Sequence, residues 1–453
     1  MQSNTPIALE NSLPVERTMA GVVTPAPIWK KQSLAMWLLL AAIALAVLEG
    51  AARKWLLRGG GGSAKYLLYF SKDICLAALI FFCPPRSRPD LRARLTSYLI
   101  PGFTLLAVGT MVSLTKGFSL VGGILSLRSL VLLPLACIFL ISRLRTLSLP
   151  LIAMVVASFT LINAAVATIQ HSSAPDDPIN YYATDTDMGS SGFEESVRSA
   201  GTFAYITGLS LMGMIGAWAG LVLISYASRR KTYLLMGIVT YFAGLWCALM
   251  TISRGATLII LLMAVLWFIS DPKMRRNVAQ AAIILVACGL VGAGLGLNER
   301  FSEATSELVR RHEMSTDTVE ERVLDPITQI ADAVKIAPGG NGFGTEQVGG
   351  VYADYGVMSL RTFEYQFPRL VLETGVLGLI GFLIICYGTL RCLFVAAKRT
   401  HDDALRSSIL VTILLVGSLF FLNVVFNHVA SFFAWVFGGL LLGIASTQSR
   451  DLR

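Results

Sequence analysis

The sequence has 453 residues, of which 55% are hydrophobic and 14% charged, with a formal net charge of +9 and a mean hydropathy of +0.66. A soluble chain of this length would form several domains, and soluble domains carry about 25% charged residues. The composition therefore argues against a soluble enzyme, a disordered chain, a disulfide-rich secreted scaffold and a free nucleic-acid-binding protein. It is typical of a polytopic membrane protein.

Membrane-spanning helices are the first elements that the hydropathy pattern predicts. A helix needs about 20 mostly apolar residues to cross a bilayer core. We predict an all-α polytopic membrane protein with about 12 transmembrane helices. The spans are expected at 33–49, 66–83, 97–114, 120–141, 149–169, 203–226, 232–252, 256–270, 277–297, 369–390, 407–423 and 428–446.

The distribution of Lys and Arg predicts the orientation of these spans, because both residues are enriched in cytoplasmic loops. With a cytoplasmic N-terminus, the cytoplasmic segments hold 21 of the 37 Lys and Arg residues and only seven of the 28 Asp and Glu residues. We therefore expect both termini in the cytoplasm. The basic balance is a topology signal and requires no nucleic-acid partner.

Two further features of the chain narrow the class. The polar first thirty residues contain no apolar h-region, so we do not expect a cleaved signal peptide. All seven cysteines lie in or beside the predicted spans, which argues against disulfides and cysteine metal sites. The predicted organisation is a polar tail at 1–32, helices 1–9 at 33–297 with an external loop at 170–202, a long external loop at 298–368, helices 10–12 at 369–446 and a tail at 447–453.

The loop of about 70 residues between helices 9 and 10 is the main candidate for function, since long ordered loops usually carry it. Asp325 and Pro326 predict the N-cap and first position of a helix within it. The glycines of GGNGFG (339–344) predict its end. No Lys follows them, so they do not form a phosphate-binding P-loop. The cytoplasmic connections are too short for a nucleotide-binding domain.

Ionisable residues at membrane depth are costly and are candidates for a functional site. An ion pair is the structural alternative for Lys72 and Asp73, and snorkelling towards headgroups is the alternative for Arg53 and Lys54. External arginines suit a diphosphate headgroup, which guanidinium groups bind through paired hydrogen bonds. The ionisable residues at this depth are Glu49, Arg53, Lys54, Lys72, Asp73, Arg128, Arg254, Arg369 and Glu373.

Several short segments occur in an order that resembles the O-antigen ligase and O-antigen polymerase superfamily. Three of them are similar to segments of its exopolysaccharide-polymerase-like members. The resemblance extends over residues 33–446. The segments are SRG (253–255), Arg322 ahead of GGNGFG, and ETGVLG (373–378), together with the three polymerase-like segments EGAARKW (49–55), LRS (127–129) and VRSAGTFAYITG (197–208).

The resemblance implies a metal-independent glycosyltransferase of the C-type membrane fold, without a cofactor, in the bacterial inner membrane. Such enzymes pass a glycan from an undecaprenyl-diphosphate carrier to an acceptor hydroxyl on the periplasmic face. The implied partners are the undecaprenyl-diphosphate-linked oligosaccharide and the lipid bilayer, with a chain-length regulator and a flippase as further partners.

The end of the long loop distinguishes polymerases from ligases. Ligases of the superfamily carry a His there, in the pattern His-[Asn/Ser/Gln]-x9-Gly-x2-[Gly/Thr/Tyr]. With Gly375 and Gly378 as the two glycines, Glu364 stands at the position of the His. A Glu can serve as the general base in an inverting transfer, so the substitution favours a polymerase. Alternatively, Glu364 is a solvated carboxylate or a partner of Arg361 or Arg369.

The predicted function is polymerisation of polysaccharide repeat units of the O-antigen or exopolysaccharide type. Ligase-type transfer of a glycan to lipid A core or protein is the alternative. A secondary transporter is a further one, although the two halves show no internal similarity. The predicted site residues are Glu364 as base, Arg254 and Arg322 and then Arg198, Arg128 and Arg369 for the diphosphate, and Arg53, Lys54, Asp73 and His312 as secondary candidates, His312 being alternatively an ordinary surface residue.

Overall fold

The computed structural model describes residues 33–57, 64–82, 89–143, 148–183, 197–228, 230–270, 302, 306, 319–346, 363, 365–422 and 425–448. The regular elements within these ranges are helices. They are α1 (Leu34–Ala51), α2 (Ala64–Phe82), α3 (Pro89–Leu114), α4 (Leu120–Leu127), α5 (Leu133–Arg143), α6 (Leu149–Ser172), α7 (Ile206–Ser225), α8 (Lys231–Met250), α9 (Arg254–Ser270), α10 (Val319–Ile336), α11 (Gln366–Arg399), α12 (Asp403–Leu422) and α13 (His428–Gln448).

Membrane-spanning helices dominate the described part of the chain, where nine helices are long and apolar enough to cross a bilayer. This confirms the predicted all-helical polytopic membrane protein. The apolar helix α9 is shorter, with 17 residues, and α2 carries Lys72 and Asp73. The predicted span at 277–297 lies outside the described residues, so the number of twelve spans stays a prediction, as does the orientation.

Helix α7 forms the core of the bundle and is buried along almost its whole length. Its Trp218 donates a hydrogen bond of 2.6 Å to Thr412 Oγ1 on α12, and its ring stacks on Phe437 of α13 at 4.3 Å between centroids. Helices α7 and α8 meet at glycines: a Cβ added to Gly213 would lie 2.7 Å from the Gly244 carbonyl oxygen. Small residues allow this close approach of membrane helices.

Within the described helices, helical geometry is interrupted at three places, and two of these hold predicted site residues. A π-helical turn at Ala52–Leu56 continues α1 and contains Arg53 and Lys54. A second π-helical turn at Arg128–Leu132 joins α4 to α5. The predicted span 120–141 is therefore a continuous helix made of three segments. The third interruption, at Gly375, divides α11. Such π turns occur frequently at functional sites.

Helix α10 begins earlier than the sequence predicts. It starts at Val319 and contains Pro326 within its second turn, so the prediction of a start at Asp325 is wrong. The proline removes one backbone donor, and packing of the buried Ala333 on the side of α11 stabilises the helix instead. The predicted end is confirmed, because α10 stops at Ile336 and the chain continues without regular structure through 337–346, which we call the glycine loop.

Candidate functional site

Charged side chains from several helices meet at one end of the bundle, where α1 ends and α2 begins. We call this region the charged end and define it by Glu49, Lys72, Asp73, Arg128 and His428. Successive spans alternate in direction, so the charged end is the side to which the sequence assigns the external loops.

Glu49 on α1 is buried and holds the largest group of charged partners. Its Oε2 accepts a hydrogen bond of 2.7 Å from Lys72 Nζ on α2. Its Oε1 lies 3.3 Å from Arg53 Nη1, one turn further along the chain. His428 Nε2, at the start of α13, lies 3.4 Å from Oε2. One carboxylate therefore joins three helical segments and contacts two basic side chains, Lys72 and Arg53.

Arg128, which is buried, and Asp73, which is half-buried, form the second ion pair of the charged end. Arg128 Nε and Nη2 donate to the two carboxylate oxygens of Asp73 at 2.6 Å and 3.0 Å, a bidentate arrangement that is among the strongest ionic contacts. The Tyr69 ring lies 4.7 Å from Lys72 Nζ and 5.5 Å from the guanidinium carbon of Arg128. Lys72 and Asp73 are thus each paired with another helix, Lys72 through Glu49.

The segment 197–205 runs between α6 and α7 without regular structure, and α6 side chains satisfy its backbone groups. Gln170 Oε1 accepts a hydrogen bond of 2.7 Å from the Gly201 amide. Asn163 Oδ1 accepts one of 2.9 Å from the Thr202 amide. Buried backbone groups need partners, and these polar residues of an otherwise apolar helix supply them.

Two basic side chains connect this segment to the helices around it. Lys54 reaches the segment from the π turn after α1, and Arg198 belongs to the segment itself. Lys54 is buried, and its Nζ donates a hydrogen bond of 2.6 Å to the Gly201 carbonyl oxygen. Arg198 Nε donates one of 3.1 Å to the Thr251 carbonyl oxygen, just beyond the end of α8. Burial raises the pKa of the neighbouring Tyr182 to about 12, so its hydroxyl group stays neutral at physiological pH.

The glycine loop packs against the interruption of α11. Gly375 has φ 70° and ψ −178°, a conformation that is essentially restricted to glycine. The Asn341 amide donates 2.6 Å to the Leu372 carbonyl oxygen before the interruption, and the Val376 amide donates 2.9 Å to the Pro338 carbonyl oxygen after it. The glycine loop therefore supplies hydrogen-bond partners where the helix cannot.

Two buried carboxylates accompany the glycine loop. Glu373 on α11 is fully buried, and its Oε1 accepts hydrogen bonds from the Gly344 amide at 2.9 Å and from the Ser126 hydroxyl group of α4. Arg369 Nη2 donates 2.5 Å to the backbone carbonyl oxygen of Glu346, whose side chain is also buried. Glu373 thus connects the glycine loop to α4. Arg128 lies two residues after Ser126, at the start of the π turn that follows α4.

The Glu346 carboxyl group predicts a pH dependence of stability. Burial raises its pKa above the usual 4.5, while Arg369 opposes the shift. Protonated Glu346 therefore contributes to the free energy of unfolding. This contribution is fully present below the pKa of Glu346 in the unfolded chain and is lost as the pH rises through its pKa in the folded protein. We expect Glu346→Gln to remove this loss, which amounts to at most about 1.4 kcal/mol per pH unit. Denaturant unfolding in micelles at several pH values measures it. Asp332→Asn on α10 is the control, and an unchanged slope in Glu346→Gln would refute the assignment.

The structure places Arg53, Asp73 and Arg128 at the charged end. Lys54 contacts the segment 197–205, to which Arg198 belongs, and Arg369 contacts the end of the glycine loop. Arg254 is half-buried and begins α9, next to Thr251 at the same end of the bundle. Arg322 lies on α10, where the description is limited to the backbone, while Glu364 and His312 lie outside the described residues. Within the described ranges, no group of three or more His, Cys, Asp or Glu side chains could hold a metal ion.

Sequence reasoning missed His428 and Glu346 as members of this region. His428 opens the last predicted span and contacts Glu49 on the first, a pairing that no sequence spacing indicates. The sequence does contain one indication of a functional role for His428: it is a titratable residue at the start of an apolar helix. Asn427 beside it is the N-terminal cap, since its Oδ1 accepts from the amides of Val429 and Ala430 at 3.0 Å and 3.1 Å.

Some of the segments quoted for the superfamily resemblance contact one another. EGAARKW contributes Glu49, LRS contributes Arg128, and VRSAGTFAYITG provides the segment that Lys54 contacts. GGNGFG and ETGVLG meet through Glu373. No model of a known protein family matches the sequence, and no curated protein matches it either.

Proposed function

We propose that the protein is a membrane glycosyltransferase that polymerises polysaccharide repeat units, using an undecaprenyl-diphosphate-linked glycan as donor, on the periplasmic face of the bacterial inner membrane. The observation that carries the proposal is a pair of basic side chains without a carboxylate at ion-pair distance. Within the described part of the chain, no carboxylate oxygen lies within 4.0 Å of Lys54 or Arg198.

These cations favour an anionic ligand for electrostatic reasons. A buried charge is costly unless it is paired, and Lys54 is buried. The neighbouring ion pairs do not compensate them, because Asp73 is engaged by Arg128 and Glu49 already faces two cations. A diphosphate would supply the missing negative charge, and arginine binds phosphate oxygens through paired hydrogen bonds.

The proposed reaction is an inverting glycosyl transfer. The acceptor hydroxyl group loses its proton to a base, its oxygen forms the new bond to the anomeric carbon, and the carrier diphosphate leaves with the electron pair of the broken bond. We assign the base to Glu364 and the stabilisation of the leaving diphosphate to the arginines. Glu364 lies five residues before Arg369 along the chain, and its neighbour Tyr365 directly precedes α11.

A transfer assay tests this proposal. The purified protein is placed in vesicles with a polyprenyl-diphosphate-linked oligosaccharide, and products are resolved by length. We expect a ladder from the unchanged protein and a loss of long products of about 10²-fold or more in Glu364→Gln, as for removal of a general base. Asp332→Asn should give the normal ladder. Normal length in Glu364→Gln would exclude Glu364 as the base, and no product from the unchanged protein with any such donor would exclude the function.

Cells that lack the protein provide a test that distinguishes polymerase activity from ligase activity. A polymerase leaves single repeat units attached to the acceptor and no long chains. A ligase leaves long chains on the carrier. Glycolipid analysis distinguishes the two outcomes, and the second would move the assignment to a ligase.

One observation favours a second candidate function, a secondary transporter. Helix α11 is interrupted at Gly375, and the fully buried Glu373 lies two residues before the interruption. Interrupted helices with polar groups beside them form the ion sites of many transporters. Uptake driven by a proton gradient in vesicles of the purified protein, lost in Glu373→Gln, would support this function over glycosyl transfer.

A further inference from the structure

The apolar face of α10 is wider than the part of it that packs against the protein. Successive residues of an α-helix are rotated by about 100°. In a projection of residues 324–337, an apolar arc covers about half of the circumference. Asp325, Asp332 and Lys335 lie on the other half, together with the exposed Ile336. In order around the helix, the apolar residues include Ala333, Ala337, Ile330, Ile327, Ala331 and Leu324.

Burial divides this apolar face into two sectors. Ala333 and Ala337 are buried on the side that contacts α11. Ile327 is 62% exposed and Leu324 is 47% exposed, although both continue the same apolar face. Packing against α11 therefore accounts for only part of the face, and a second apolar surface is left without a partner in the described protein.

The polar side of α10 completes the arrangement. Asp332 and Lys335 form an exposed ion pair of 3.0 Å. A surface helix with a polar side towards water and an apolar side towards the protein would have two sectors only. α10 has three: an apolar sector on the protein, an exposed apolar sector and an exposed polar sector.

The lipid-facing surface of the bundle adjoins the end of α10. A Cβ added to Gly339, three residues after α10, would lie 3.2 Å from the Val112 side chain of α3. Val112 is exposed, and its neighbour Met111 is 67% exposed on the same membrane-spanning helix. Large apolar residues exposed on a spanning helix face acyl chains. The C-terminal end of α10 therefore adjoins a helix surface of the kind that faces acyl chains.

We infer that α10 is an interfacial helix that docks on the outer surface of the bilayer. Its first apolar sector contacts α11, the sector of Leu324, Ile327 and Ala331 inserts at the boundary of the acyl chains, and Asp332 and Lys335 face headgroups and water. This is the arrangement of amphipathic helices bound at membrane interfaces. Lipid is favoured over a protein partner because the adjacent surface of α3 belongs to the membrane-facing part of the bundle. The inference does not depend on the proposed enzymatic activity.

Site-specific photocrosslinking tests the docking of α10. Benzoylphenylalanine replaces Ile327 or, as a matched control five residues further along on the polar sector, Asp332. The full chain is reconstituted in phosphatidylcholine vesicles and irradiated, and intact-protein mass spectrometry detects added phospholipid. Both positions are exposed, so both variants should fold, which their elution in detergent verifies.

We expect the phospholipid adduct at position 327 to exceed that at position 332 by about fivefold or more, as for a helix whose apolar side is inserted. Position 111 on α3 provides the positive reference for a lipid-facing residue. Equal yields at 327 and 332 would overturn the inference. Crosslinking of position 327 to a second copy of the chain would also overturn it and identify a protein interface instead.

Discussion

Replacing Glu49 with Gln is expected to lower the free energy of unfolding by about 3–5 kcal/mol, the cost of removing one partner from a buried ion pair. Glu49 accepts a hydrogen bond of 2.7 Å from Lys72, and Lys72 is fully buried. The variant leaves this ammonium group unpaired beside Arg53. Denaturant unfolding of the purified protein in micelles measures the change.

A double variant separates loss of charge pairing from loss of packing. Glu49→Gln combined with Lys72→Met removes both charges, so it should be more stable than Glu49→Gln alone. Lys335→Met, which breaks the exposed pair with Asp332, is the control and should change stability by less than about 1 kcal/mol. If Glu49→Gln changed the free energy of unfolding as little as this control, the pair of Glu49 and Lys72 would not contribute to stability.

Replacing Gly375 with Ala is expected to destabilise the protein by about 2–4 kcal/mol, from backbone strain and from steric overlap. The backbone at Gly375 has φ 70°, and an added Cβ would lie 2.9 Å from the Pro338 carbonyl oxygen and from the Gly339 carbonyl carbon. The glycine loop would have to move away from α11. On the proposed function, long glycan products should also disappear, because Glu373 would lose its contact with Gly344.

Gly417 provides the matched control for this substitution. It lies within α12, and a Cβ added there would have its nearest neighbours in Leu390 at 3.9 Å. Gly417→Ala should therefore be neutral or stabilise the protein by up to about 1 kcal/mol, since Ala favours helix. Thermal unfolding of the two variants side by side gives the comparison. Equal stabilities would show that the conformation of Gly375 is not required.

The sequence predicts the composition of the charged end better than its pairing. Lys72, Asp73 and Arg128 are visible as charges within apolar stretches, where each has to be compensated. Their partners come from other helices, and no local pattern encodes which helices will be adjacent. The contact of Glu49 with His428 joins the first and last described helices, so only the folded structure reveals it.

Interruptions of helices were also hidden from the sequence, for a physical reason. The π turns at Ala52–Leu56 and Arg128–Leu132 have the same hydropathy as the helices that they continue. Gly375 reads like any glycine of a membrane helix, because its backbone angles depend on the glycine loop packed against it. The sequence predicts too late a start for α10. Proline is common at the first position of a helix, but α10 tolerates Pro326 further inside.

The pairing of Glu49 with His428 has a consequence for the order in which the protein forms. Chains insert and fold from the N-terminus as they are synthesised, so α1 and α2 are in place long before α13 is made. Glu49 and Lys72 can pair early, whereas His428 joins them only after every intervening helix has inserted. The charged end is therefore completed last, and a chain that stops short of α13 lacks it however well its earlier helices have folded.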